Sequence, residues 1–129
     1  MATINTDIAQ NIGIIARAGD SFNLQISITD SSSDTFDLTG YKVYFEIKSN
    51  TNVLLKGLTN DVSSPYSDAG SLYNTSAITL TATAGIITVS ESATNMDFTK
   101  GNYKYIVKLK SSTGEIKTWM YGKLKINDD

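Results

Sequence analysis

Two eight-residue runs of strict alternation constrain this chain more than any other feature. Phe22-Asn23-Leu24-Gln25-Ile26-Ser27-Ile28-Thr29 and Tyr41-Lys42-Val43-Tyr44-Phe45-Glu46-Ile47-Lys48 each place an apolar side chain at every second position. Successive side chains of a strand point to opposite faces, so this period specifies half-buried strands. Phe22, Leu24, Ile26 and Ile28 are expected on one face, met by Tyr41, Val43, Phe45 and Ile47 from a partner strand. The Ser- and Asp-rich stretch from Asp30 to Gly40 joins the two runs as a loop.

The same reading extends along the chain. Strands are predicted at 12–17, 22–29, 41–48, 53–58, 77–82, 86–90, 103–110 and 116–126, with turn residues between them at Ala18-Gly19-Asp20, Asn50-Thr51-Asn52, Ala84-Gly85 and Ser111-Ser112-Thr113-Gly114. Glu91 to Phe98 breaks the alternation, and one short helical turn is expected there, capped by Ser90 or Ser92. Thr59 to Tyr73 reads as a long loop, with Tyr66 and Tyr73 serving either recognition or the pinning of the loop to the body. Ser, Thr and Asn make up roughly a third of the 129 residues, a bias toward pleated surfaces and turns. The expected fold is therefore all-β, an immunoglobulin-like β-sandwich of about eight antiparallel strands. Residues 12–129 form its single domain. Residues 1–11 form an N-terminal arm, either flexible or used to pair with a neighbour.

Parity along the last hairpin defines a candidate interface. With Tyr103, Tyr105, Val107 and Leu109 inward, Ile106 and Lys104, Lys108 and Lys110 face out. With Ile116, Met120, Leu124 and Ile126 inward, Trp119 and Tyr121 face out among Lys117, Lys123 and Lys125. Tyr44 falls on the outer face of its own strand. Trp119, Tyr121, Ile106 and Tyr44 would then form an apolar patch rimmed by lysines, the composition of a protein or carbohydrate contact. A one-residue bulge near Gly122 would instead turn Trp119 inward.

Much chemistry is excluded. The chain has no cysteine and no histidine, which removes disulfides, thiolate nucleophiles, the usual zinc sites and imidazole general bases. Asp34 with Asp37, and Asp61 with Asp68, read as turn formers that bond their own backbone rather than as calcium ligands. Glu46, Glu91 and Glu115 give no converging carboxylate pair. No catalytic residue, metal site or cofactor is expected. A net charge of −2 without a basic stripe, and the lack of a long apolar span, give no expectation of nucleic-acid or membrane partners. The first residues lack the pattern of a signal peptide, so synthesis and folding in a cytoplasm are expected.

Four short stretches carry a resemblance. Arg17-Ala18-Gly19-Asp20-Ser21-Phe22, Asp37-Leu38-Thr39-Gly40-Tyr41-Lys42-Val43, Gly101-Asn102-Tyr103-Lys104-Tyr105 and Gly122-Lys123-Leu124-Lys125-Ile126 follow in this order. The series resembles the N-terminal domain of phage baseplate upper proteins and related small virion proteins of tailed phages. The resemblance implies a non-enzymatic β-sandwich adaptor in a virion, assembled in the host bacterial cytoplasm and bound to other virion proteins. It leaves open baseplate, tail, neck, fibre-attachment and head-decoration roles. Closed homo-oligomers are the usual state of assembly proteins. The alternative is a carbohydrate-binding module in which Trp119, Tyr121 and Tyr44 stack on a glycan.

Overall fold

A computed structural model describes residues 2–5, 10–11, 13–17, 20–29, 36–64, 66–92 and 98–127. Its strands are β1 (Ala2–Asn5), β2 (Gln10–Asn11), β3 (Ile14–Arg17), β4 (Phe22–Thr29), β5 (Lys42–Lys48), β6 (Leu54–Thr59), β7 (Tyr73–Asn74), β8 (Ile78–Thr81), β9 (Ile86–Glu91), β10 (Gly101–Lys110) and β11 (Ile116–Asn127). All of the predicted strands are present. The alternation of β4 is realised, with Phe22, Ile26 and Ile28 buried and Asn23 and Gln25 exposed.

The strands form two sheets. One has the order β1-β4-β9-β8; the other runs β2-β11-β10-β5-β6-β7, with β3 also on β11. Setting β1, β4, β5, β6, β8, β9, β10 and β11 as A, B, C, C′, D, E, F and G gives ABED facing GFCC′, the immunoglobulin arrangement. The chain is an all-β sandwich of that kind. Tyr103, near the start of β10, donates its hydroxyl to the Thr99 carbonyl at 2.8 Å, the tyrosine corner of such folds.

Three differences from the sequence reading follow from backbone pairing. The hairpins are antiparallel, but β1 runs parallel to β4, β2 and β3 run parallel to β11, and β7 runs parallel to β6. The described parts of residues 1–11, expected as an arm, are strands that add ladder hydrogen bonds at the sheet margins. A 3₁₀ turn lies at Ala82–Ala84, where a strand end was expected. It closes on Gly85 at φ +66°, where a Cβ would stand 2.7 Å from the carbonyl oxygens of Ile28 and Phe36, so only glycine fits. The helical turn expected at 91–98 lies mostly outside the described residues, and Glu91 itself ends β9.

The core has no disulfide. Where immunoglobulin domains keep a cystine between strands B and F beside an aromatic residue of strand C, this chain stacks rings. Phe45 of β5 lies 5.7 Å from Phe22 of β4 and 5.3 Å from Tyr105 of β10, parallel to the latter within 8°. Burial pushes the Tyr105 phenol up to about 12. Phe45 is fully buried at the junction of the sheets. Phe45→Ala is expected to cost about 3–5 kcal/mol. Phe45→Leu, which keeps most of the volume, should cost less than half of that. Urea unfolding followed by circular dichroism measures both.

Candidate interaction face

The outer face of the larger sheet holds the candidate residues, and a bulge decides which of them are accessible. Val107 pairs with Met120 and Lys108 pairs with Thr118, so Trp119 is the extra residue on β11. A one-residue slip reverses the facing of everything before it. Trp119 therefore turns inward and is 4 % exposed, packed edge-on at 5.0 Å against Phe36, while Ile116, expected inside, is 63 % exposed. The bulge sits at Trp119 itself rather than near Gly122. Beyond it the expected parity holds: Met120, Leu124 and Ile126 are buried, and Tyr121, Lys123 and Lys125 are exposed.

Tyr44 does face outward from the sheet, but Asp61 and Tyr66 of the following loop cover it. It is 4 % exposed, with the Tyr66 ring tilted against it at 5.1 Å and its hydroxyl donating to Asp61 Oδ2 at 2.5 Å. Asp61 Oδ1 also accepts from the Ser63 amide and hydroxyl. Burial alone would raise the Asp61 pKa; the hydrogen bonds from Ser63 and Tyr44, with Lys42 nearby, outweigh it and hold the carboxyl below its usual range. Burial, and then the Asp61 hydrogen bond, push the Tyr44 phenol well above its usual range. Asp37 accepts from the amide and hydroxyl of Thr39, the turn-forming role read from the sequence. Asp34 lies outside the described residues.

Tyr66 and Tyr73 pin the loop to the body. Their rings meet edge to face at 4.9 Å, and the Tyr73 hydroxyl donates to Glu46 Oε2 at 2.5 Å. Glu46 in turn accepts an ion pair from Lys108 at 3.3 Å. Tyr73 can reach this position because Gly57 beneath it has no side chain: a Cβ there would stand 2.2 Å from the ring.

The other half of the face is open. Its groove, about 740 Å³, is lined by Lys48, Lys104, Lys123, Ile106 and Tyr121 among others. Tyr121 is 42 % exposed and Ile106 half-buried, and they are direct cross-strand neighbours. Of the four residues expected to form one patch, these two share an open surface and Trp119 and Tyr44 do not. The sequence indicated the lysines only as a rim. Register makes them a row, because Lys104 stands opposite Lys48 on β5 and opposite Lys123 on β11.

No family model matches the chain, and no curated protein matches it by sequence. Among solved structures it is similar to the N-terminal domain of phage TP901-1 ORF48, with a TM-score of 0.61 at 10 % identity over 97 % of this chain and 94 % of that one. It is less similar to CopC from Methylosinus trichosporium OB3b, with a TM-score of 0.44 at 11 % identity over 92 % of this chain and 84 % of that one. The likeness to the phage domain shows a shared fold.

Two outcomes test this half-covered face. Asp61 has a depressed folded pKa, so its contribution is full above the ordinary value of 3.8 and is lost as pH falls through the lower folded value. Asp61→Asn should therefore lower the urea midpoint at neutral pH, with the gap from wild type narrowing below pH 3.8. Gly57→Ala should cost about 1–3 kcal/mol by driving Tyr73 off the sheet. In a Tyr73→Ala background the same change should be close to neutral, which a double-mutant cycle reads directly.

Proposed function

We propose that this chain is a non-enzymatic structural component of a tailed-phage virion that works through protein–protein contacts. The observation that carries this reading is the fold match to the N-terminal domain of phage TP901-1 ORF48 over nearly the full length of both chains. The ordered Gly-Asp, Asp-Leu-Thr-Gly, Gly-Asn-Tyr-Lys-Tyr and Gly-Lys-Leu-Lys-Ile stretches support it independently. Within that class the roles to be distinguished are baseplate, tail, neck, fibre attachment and head decoration. Other virion proteins are its partners, with assembly in the host bacterial cytoplasm. A rigid two-sheet body pinned by buried aromatic rings suits an adaptor, since it presents fixed faces with little ordering entropy to lose on docking. The carbohydrate reading needed a row of Trp119, Tyr121 and Tyr44. Burial of Trp119 and Tyr44 leaves Tyr121, and a single ring does not make a stacking row for a glycan.

Gradient-purified particles from a producing strain test the proposal. Mass spectrometry should find the chain at a constant ratio to the major tail or head protein, and immunogold labelling should place it at one position on the particle. Recovery only in the soluble lysate would overturn the reading. Light scattering of the purified chain should give a defined multimer; a monomer at every concentration would remove the homo-oligomeric form and leave docking onto a different virion protein.

A further inference from the structure

We propose that the open half of the large sheet's outer face is a docking site for an acidic, extended segment of a partner protein. Three observations converge on it. The first is the lysine row. Lys48, Lys104 and Lys123 stand on three adjacent strands in direct register. Neighbouring strands are about 4.8 Å apart, and like charges directly opposite one another destabilise a sheet.

The second observation is what the row lacks. Among the described residues, Lys104 and Lys123 make no ion pair, and Lys48 has only Glu46, at 4.0 Å. Glu46 is already engaged by Lys108 and Tyr73. A chain with net charge −2 thus concentrates three positive charges on one line, two of them unpaired among the described residues and the third sharing a single carboxylate with Lys108. The sign of the missing partner is negative.

The third is the neighbouring step. One strand repeat along from Lys104 and Lys123 come Ile106 and Tyr121, an apolar pair on the floor of the same groove. Carboxylates at alternate positions of an extended segment lie about 6.8 Å apart. Two of them fit within the row's roughly 9.6 Å span, each between two lysines. Past Lys123 the segment turns along the strand direction, so that its terminal apolar side chain covers Ile106 and Tyr121. A nucleic acid suits the face less well, because the Glu46 carboxylate borders the row and a phosphate backbone is bound along a longer basic stripe. The inference rests on this face alone and stands or falls separately from the virion reading.

The probes are three: a peptide of alternating Asp and Thr ending in Leu, the same peptide with Asn for Asp, and an oligothymidylate. Each is titrated into the isotopically labelled chain and followed by amide shifts. The acidic peptide should give saturable shifts confined to β5, β10 and β11 around the row, weakened by added salt. The Asn peptide should bind at least about tenfold more weakly, a loss typical of removing charge pairs. Lys104→Gln with Lys123→Gln should abolish the shifts while leaving the melting temperature equal or higher, because like-charge repulsion is relieved. Tyr121→Ser should weaken the Leu-ended peptide and leave a Ser-ended version unaffected. No shift at this face, equal binding of the Asn peptide, a drop in melting temperature in the lysine variant, or tighter binding of the oligothymidylate would each overturn the proposal.

Discussion

The stack of Phe22, Phe45 and Tyr105 is the contact on which the rest of this molecule depends. A sandwich without a cystine has no covalent tie between its sheets, so the sheets hold their spacing only through what interdigitates between them. Phe45 is fully buried on the central strand of the larger sheet, with one neighbour on each side. An aromatic pair adds about 0.5–1.5 kcal/mol beyond the area it buries. The rings also orient β5 and β10, whose outward side chains form the candidate interaction face.

That face is divided by one loop. Residues 60–64 and 66–73 fold back over Tyr44 and Glu46 and are held by three tyrosines, two carboxylates and a glycine that leaves room for a ring. The covered half has its polar groups satisfied internally, and its carboxylates accept hydrogen bonds from buried hydroxyls. In the uncovered half Lys104 and Lys123 have no ion pair among the described residues, and Lys48 has only the shared Glu46. A surface of this kind is rigid on one side and electrostatically unbalanced on the other, which favours a partner arriving with the opposite charge.

The legibility of the sequence varied with the range of the interaction. The strands read at 22–29 and 41–48 were evident from period two alone, and the turns at Gly85 and Asp37 from turn chemistry, since a turn is set by residues a few positions apart. The crowding of Gly85 by the Ile28 and Phe36 carbonyls was not evident. Tyr121 and Ile106 were correctly placed outside because the register of the last hairpin is regular past Met120. Trp119 was misplaced by strict counting because a single unpaired residue on β11 resets the parity before it. Tyr44 was counted outward correctly, yet it is buried by a loop that begins after the next strand. Residues 1–11 carry little alternation, and their described segments owe their strand form to parallel pairing with β4 and β11, a non-local contact.

By itself the sequence determined the all-β class, the eight principal strands, the missing imidazole and thiol chemistry, and the outward lysines. These are properties of period, turn residue and composition, each written within about ten positions of the chain. Only the tertiary structure decided that Trp119 is core, that Tyr44 lies under a pinned loop, and that three separate lysines form one line. Those outcomes depend on a bulge in the last hairpin, a covering loop and the pairing of β5 with β10, none of which is written in the alternation of a single strand. Strand pairing is set by the whole packed sheet, so no local pattern specifies which lysine stands opposite which.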